Sequence, residues 1–431
     1  MNELALFVFL PFCKIKCTYC DFNVYANLAR MMEPYADAVA HEIQNHVILS
    51  EANALRPPSL RDETLRFAQG DKMRAKSVYF GGGTPSLMPL ASIEKILRAF
   101  QESFAFIPYP EITLEANPGN VDAEKLRVLR SLGINRLSLG VQSFDDAVLR
   151  RLNRGHTVAD AIETFEHARR AGFDNLSLDF IYGLPQQTLA DWRATLEHAL
   201  ALQPEHLSLY GLKVEQGTGL EHQIKRGKYP MPDDDLAADM YEMAEEMLDA
   251  AGYEQYEISN WAWRVQKAEG RKQEAESPTS NFQFPTSNLH ASRPTSTFQS
   301  QHNLTYWRNE PYLGFGAGAH SCFDGKRFWN VRSPIEYIQR VENRESAMDG
   351  DEEINRELEM AETMILGLRL NEGIEFSAFA KRYGEDARGK YAKVIKELVE
   401  FELLDLSNDW VRLTPRGRLL SNEVFWRFLP N

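Results

Sequence analysis

The chain of 431 residues has no apolar run approaching the ~20 residues a membrane helix needs; its opening stretch, Leu4 to Phe12, is too short. That stretch also lacks the basic n-region and cleavage site of a secretory leader, so a soluble, cytoplasmic protein is expected. Cysteine is scarce. Four in so long a chain exclude a disulfide scaffold. A basic surplus is missing as well: 48 Lys+Arg against 62 Asp+Glu leave a net charge of −14. Such a balance argues against a surface built for a phosphate backbone, and no nucleic-acid partner is expected. Hydrophobic residues at 43% and charged ones at 26% exclude wholesale disorder. At ~150 residues per domain the length predicts two or three domains.

Short β-branched and aromatic runs recur at Leu4–Leu10, Ser77–Phe80, Glu111–Glu115, Arg136–Val141, Asn175–Ile181 and Glu205–Leu212. Helix-patterned stretches lie between them, at Asp122–Ser131, Asp145–Leu152, Val158–Ala171 and Leu189–Ala201. Strand and helix alternating at ~30-residue steps are the mark of parallel βαβ units. These units suit a barrel, complete or partial, better than an open sheet, although periodicity alone does not separate the two. In either architecture chemistry gathers at the C-terminal ends of the strands. Three cysteines follow the first run, Gly81-Gly82-Gly83-Thr84-Pro85 the second, and Glu115-Ala116-Asn117-Pro118 the third. Gln142-Ser143 closes the fourth, and Asp179 with Tyr182-Gly183-Leu184-Pro185 the fifth. One shared mouth is expected.

Insertions are expected near 51–76, with Pro57-Pro58 and mixed charge, and at 264–301, rich in Ser, Thr, Gln, Asn and Pro. After about Ser333 the pattern turns to helices, then a hairpin-like LLDLSNDWVRLT at Leu403–Thr414. The expected domains are therefore 1–333, a barrel, and 334–431, a smaller helical module resembling a winged helix.

Cys13, Cys17 and Cys20 are spaced C-x3-C-x2-C. A loop with those gaps can aim three thiolates at three corners of one iron–sulfur cube, leaving the fourth iron without a protein ligand. Zinc is the competing metal, but a closed structural site wants four ligands, and no second C-x2-C pair exists. The glycines of Gly81–Gly83 would let backbone approach a small ligand closely.

C-x3-C-x2-C just after the first strand, Tyr19 before the last cysteine, and GGGTP after the second strand resemble the radical S-adenosylmethionine superfamily. The resemblance implies a partial (β/α)6, TIM-like barrel carrying a [4Fe–4S] cluster on Cys13, Cys17 and Cys20. Its open iron would be chelated by S-adenosylmethionine, and one-electron reduction would cleave the sulfonium to methionine and a 5′-deoxyadenosyl radical. Further ordered motifs narrow the likeness: PFCKIKCTYCDF, FGGGTPSLM, EITLEANPGN, GINRLSLGVQSFDD, LNRGH, LDFIYGLPQQT, YEISNWA, HNLTYW and YLGFGAGAHS. Together they resemble the oxygen-independent coproporphyrinogen dehydrogenase family and its HemW-type haem-chaperone branch. Carried over by position, that implies Tyr19, Gly82, Gly83, Thr84, Glu115, Gln142, Arg154 and Asp179 at the S-adenosylmethionine site. Carboxylates suit ribose hydroxyls or an ammonium, and Arg154 suits a carboxylate.

The dehydrogenases resemble C-x3-C-x2-C-x-C, with a further cysteine where this chain has Phe22. That difference, with the motif His302-Asn303-Leu304-Thr305-Tyr306-Trp307, resembles the haem-chaperone branch. It implies binding of haem and transfer to an acceptor protein, with an electron donor for the cluster. The alternatives are a coproporphyrinogen III oxidase and another radical enzyme. His302 is the candidate haem contact, the competing reading being a histidine held structurally. Two departures stand out: Phe7 and Phe9 replace a tyrosine and a histidine usual before the first cysteine. Gly314–Ala319 fits G-x-G-x-x-A without a clear strand ahead of it, and His41-Glu42 with His46 is one residue too long for a zinc-protease pair.

Overall fold

The structure, a computed structural model, describes residues 3–54, 73–264 and 298–430. Six parallel strands lie side by side in chain order: β1 (Glu3–Leu10), β2 (Arg74–Gly82), β3 (Ala105–Ala116), β4 (Arg136–Gln142), β5 (Leu176–Tyr182) and β6 (His206–Gly211). Helices cross between them and cover the outer face. Leu4, Leu6, Val8 and Leu10 of β1 point that way and are fully buried; the alternate residues Ala5, Phe7 and Phe9 face inward. Two of the crossing helices start from reciprocal capping boxes, Thr157 with Asp160 and Thr188 with Asp191, which satisfy backbone donors that would otherwise be orphaned.

The sheet extends past both ends of this core. A hairpin, β7 (Tyr253–Glu257) and β8 (Asn260–Trp263), adds to β6. Next to β1 runs β9 (Tyr312–Phe315), in parallel, followed by antiparallel β10 (His320–Phe323), β11 (Lys326–Asn330) and β12 (Met348–Glu353). Among the described residues, twelve strands therefore curve from β12 to β7. The result is a partial barrel, as expected, with additional strands on each side. The periodic reading missed those strands because they are only four to six residues long. Gly314–Ala319 does follow a strand, since Gly314 and Phe315 end β9.

Residues 334–353 pack with the barrel. Tyr337, Ile338, Val341 and Ala347 join its core, and β12 is its edge. A second core, built on Met360, Phe376, Phe379, Tyr391, Leu398 and Val411, begins only afterwards. Packing thus moves the change of core beyond the expected 333/334 division to near residue 354. This smaller body has helices Arg356–Gly367, Phe376–Tyr383 and Ala392–Glu400, then β14 (Leu404–Leu406) and β15 (Trp410–Leu413), with β13 (Ile374–Glu375) completing a small sheet. Helices followed by a hairpin match the expected order. Most of the two expected insertions, 51–76 and 264–301, lies outside the described residues. At their edges Met32–Ala54 is helical, β2 starts at Arg74, and Ser300 caps a helix over Gln301–Trp307.

Candidate functional site

Beyond β1 the chain turns through Pro11 and Phe12 into the cysteine loop. Pairing with Tyr25 closes its base, Cys13 N–H donating to the Tyr25 carbonyl at 3.1 Å. Its far side is pinned to the segment after β4: Thr18 N–H donates to the Leu152 carbonyl at 3.0 Å, and Asn153 Nδ2 to the Lys16 carbonyl at 2.9 Å. A tight turn brings Cys20 N–H to the Cys17 carbonyl at 3.3 Å. All three thiols are free and partly buried. Burial raises the Cys13 thiol and pushes Cys20 up to about 11, a penalty a bound metal would reverse by taking the thiolate. Among the described residues no group of three or more His, Cys, Asp and Glu side chains converges on a single-ion site.

Two polar side chains reach the sulfurs from opposite walls. Thr84 Oγ1 lies 3.6 Å from Cys13 Sγ, and Arg154 Nη1 is 3.4 Å from both Cys17 Sγ and the Tyr19 hydroxyl. Arg154 Nη2 donates to the Gly140 carbonyl at 2.6 Å and to Asn117 Oδ1. Asn117 Nδ2 in turn donates to Thr84 Oγ1 at 3.0 Å. Arg154 thus ties the ends of β2, β3 and β4 to the cysteine loop. Its Nε is buried without a partner, a cost of about 1–3 kcal/mol that a ligand acceptor would remove. A small pocket beside it is lined by Lys14, Ile15, Cys17, Asn117, Arg154 and His156, among others.

The glycine run forms the second wall. A Cβ on Gly83 would lie 2.6 Å from the Phe12 carbonyl oxygen and 2.8 Å from that of Leu10. Gly82 has φ +107°, which L side chains rarely adopt, and its N–H donates to Glu115 Oε2 at 3.1 Å. Tyr79 donates to the other Glu115 oxygen at 2.9 Å. Burial pushes Glu115 up to about 7. Asp179 is buried nearby and likewise raised by desolvation; Ser138 and Ser177 donate to its oxygens at 2.8 to 3.0 Å. Gln142 sits at a register shift between β4 and β5 with φ 70°, and its Nε2 would be 3.0 Å from a Cβ on Gly140. The ring of Tyr19 packs on Val148, Leu152, Ile181 and Leu184, so it presents its hydroxyl to Arg154 rather than its face to the mouth.

Gly82, Gly83, Thr84, Glu115, Gln142 and Arg154 thus gather at one mouth with the cysteines, and Asp179 stands on the same inner wall. Three free thiols on an anchored loop, a cradle that a Cβ would fill and an unpartnered guanidinium nitrogen fit a cluster with a small polar cofactor.

His302 is placed differently from expectation. It is 1% exposed, with Nδ1 2.9 Å from Ser77 Oγ and Nε2 2.9 Å from the Tyr306 hydroxyl. A neutral imidazole has one donor and one acceptor; both are used, so no lone pair is free for iron. Burial, then Lys76 and Arg136, depresses its pKa to about 3. Its ring lies 4.9 Å from that of Tyr79, the donor to Glu115. In this structure His302, expected as a haem contact, is buried and held between Ser77 and Tyr306.

Three comparisons with known proteins bear on this geometry. Residues 7–199 match the model of the Radical SAM superfamily, and residues 354–420 that of the HemN C-terminal domain. The chain is 34% identical over 429 residues to the heme chaperone HemW of Bacillus subtilis, covering 99% of each. The chain belongs to the HemW branch of the radical SAM superfamily. Other relatives are similar over comparable spans. The heme chaperone HemW of Mycobacterium tuberculosis strain H37Rv is 30% identical, over 98% of this chain and 94% of that one. The mitochondrial radical S-adenosyl methionine domain-containing protein 1 of Danio rerio is also 30% identical, over 98% and 86%. Among solved structures, the Escherichia coli coproporphyrinogen III oxidase, a radical SAM enzyme, superposes with a TM-score of 0.76 at 23% identity, over 99% of this chain and 90% of that one. That likeness establishes the shared fold.

Asn117, Tyr79 and Ser138 hold expected site residues in place without being expected there themselves. Asn117 directly follows β3, within the strand-end stretch Glu115–Pro118. Tyr79 carried no signal beyond strand periodicity. Glu42 is a buried hub under Gly316, accepting from Gly316 N–H at 2.9 Å, Tyr337 at 2.5 Å and Asn330 at 2.6 Å; in sequence it looked like half of a failed zinc motif.

Proposed function

We propose that this HemW-branch protein is a haem carrier that holds one [4Fe–4S] cluster and S-adenosylmethionine and passes haem to an acceptor protein. The observation that supports this most is the pinned loop of three free thiols between Thr84 and Arg154, in a chain similar along its whole length to heme chaperones. Cys13, Cys17 and Cys20 would hold the cluster. When bound, a cube with one open iron supplies one-electron reduction of a chelated sulfonium.

The chain's own part is to bind and orient. Gly82 and Gly83 let backbone approach the ligand, and Arg154, already donating to Cys17 Sγ, offers its unpartnered Nε to a carboxylate. Glu115 accepts from Tyr79 and Gly82, which fixes its plane; near neutral pH it can accept from a ribose hydroxyl or pair with an ammonium. Thr84, Gln142, Asp179 and the Tyr19 hydroxyl complete the polar lining. The acceptor and the electron donor would be protein partners in the cytoplasm; neither nucleic acid nor a membrane is needed. No described helix is long and apolar enough to span a membrane.

Phe22 is the feature against an oxidase of coproporphyrinogen III: it is an aromatic side chain, 62% exposed, where the dehydrogenases resemble a further cysteine. One anaerobic preparation tests the proposal. We expect about four iron atoms per chain, saturable S-adenosylmethionine binding, one equivalent of bound haem, and unchanged coproporphyrinogen III after incubation with cofactor and reductant. Formation of the vinyl product would replace the carrier by the oxidase, and an iron-free, zinc-loaded protein would overturn both.

A further inference from the structure

We infer that haem sits on the inner face of β9–β11, with the His320 imidazole as axial ligand and Arg332 beside a propionate. This rests on the haem-carrier reading above and gives that ligand a site.

Strand register places the surface. Residues paired directly across strands share a face. Ala5 pairs with Tyr312 and Phe7 with Gly314; Cys322 pairs with Tyr312 and with Arg327, and His320 with Trp329. The inner wall of the barrel, which carries Phe7 and Phe9 beside the glycine run, therefore continues without interruption to His320 and Trp329. The opposite faces of these strands are occupied, since Leu313, Phe315, Phe323 and Phe328 pack on the barrel core.

His320 differs from His302 in each respect that ligation requires. Its side chain is exposed, and no hydrogen bond to either ring nitrogen occurs among the described residues. Partial burial, with Arg327 and Arg332 nearby, lowers its pKa. Trp329 stacks on it, centroids 5.7 Å apart and planes at 29°. A porphyrin bound through a ring nitrogen stands edge-on to that imidazole, so a flat neighbour fixes the plane without blocking the iron. Glycines keep the shelf clear on both sides. A Cβ on Gly350 would come within 2.6 Å of the Trp329 ring, and one on Gly314 within 2.2 Å of the His320 carbonyl oxygen.

Charge complementarity favours an anionic, planar ligand. Arg327 is engaged by Glu352 and Glu362, whereas exposed Arg332 makes no ion pair among the described residues and stands close enough to bias His320. The Arg332 carbonyl accepts from Asn23 Nδ2 at 2.8 Å. The rim of the shelf is thereby tied to the loop leaving Cys20, with exposed Phe22 next to Asn23.

The test is a haem titration of the full-length, cluster-loaded protein, read by absorbance and electron paramagnetic resonance, beside His320→Ala, His320→Gln, Arg332→Glu and His302→Phe. Both His320 variants should keep the iron–sulfur content, weaken haem binding at least about tenfold and lose the imidazole-ligated spectrum, which added free imidazole should restore. Arg332→Glu should weaken binding several-fold with the spectrum unchanged, and His302→Phe should leave the spectrum as in the wild type. A wild-type spectrum and affinity in the His320 variants would overturn the site while leaving the carrier reading intact. Failure of the wild type to bind haem would overturn the carrier reading itself.

Discussion

Replacing Gly83 by alanine probes how the glycine wall and the cysteine loop depend on one another. The backbone at Gly83 does not demand a glycine, since its φ lies outside the left-handed range; the space does. The new methyl would stand 2.6 Å from the Phe12 carbonyl oxygen, 2.8 Å from that of Leu10 and 2.9 Å from Phe12 nitrogen. All three are main-chain atoms, so no side-chain rotation relieves the contact, and the strand ends must separate. Separation stretches two hydrogen bonds, Gly83 N–H to Leu10 at 2.9 Å and Thr84 N–H to Phe12 at 2.8 Å. Overpacking costs about 1–3 kcal/mol and each bond about 1 kcal/mol, so a destabilisation of about 3–5 kcal/mol is expected. The same movement pulls Thr84 from Cys13, so iron retained after anaerobic reconstitution should fall with the urea midpoint. Gly172→Ala is the control. Nothing lies within 4 Å of its Cβ but φ is +87°, so it should cost only about 1–2 kcal/mol of backbone strain and leave the iron content alone. Equal midpoints and equal iron for Gly83→Ala and the wild type would refute the reasoning.

Cys17→Ala should abolish the cluster absorbance after reconstitution; unchanged iron content would remove Cys17 from the ligand set. Arg154→Lys cannot reproduce contacts that reach Asn117, Gly140, Cys17 and Tyr19 from one planar fork. Calorimetry should show S-adenosylmethionine affinity reduced at least about tenfold, and an unchanged Kd would exclude the residue from the site. His302→Phe leaves Ser77 and Tyr306 without their buried partner, at about 2–4 kcal/mol near neutral pH. Because the folded-state pKa of His302, about 3, lies below its ordinary 6.5, its neutral form supports the fold above pH 6.5, and that support is lost as pH falls toward 3. The variant should therefore lose less stability over that window than the wild type, as read from unfolding midpoints; an identical acid limb would show that His302 is not held neutral by the fold. His206, also depressed by burial, remains to supply part of the slope.

The six barrel strands were legible because each is a β-branched or aromatic run closed by polar or Gly/Pro residues, a pattern set by burial on both faces. The cysteine spacing was legible because a cluster constrains neighbours along the chain. What could not be read was anything made by residues far apart in sequence. Asn117, Arg154 and Gly140 meet only because β3 and β4 end at the same height, and Tyr79 earns its place from a partner 36 residues away. Short strands such as β9 and β10 hold no full period, so the pairing of β9 with β1 and of β10 with β9 depends on the tertiary fold.

Histidine shows the division most clearly. The sequence by itself determined that one loop carries three closely spaced thiols and that the chain winds through parallel βαβ units, because both are local patterns of spacing. Which imidazole is open was decided only by tertiary structure. His302, singled out by its motif, is enclosed between Ser77 and Tyr306, while His320 lies exposed against Trp329. Burial and hydrogen-bond partners come from strand register and helix packing, and these set whether a ring nitrogen supports the fold or can meet a ligand.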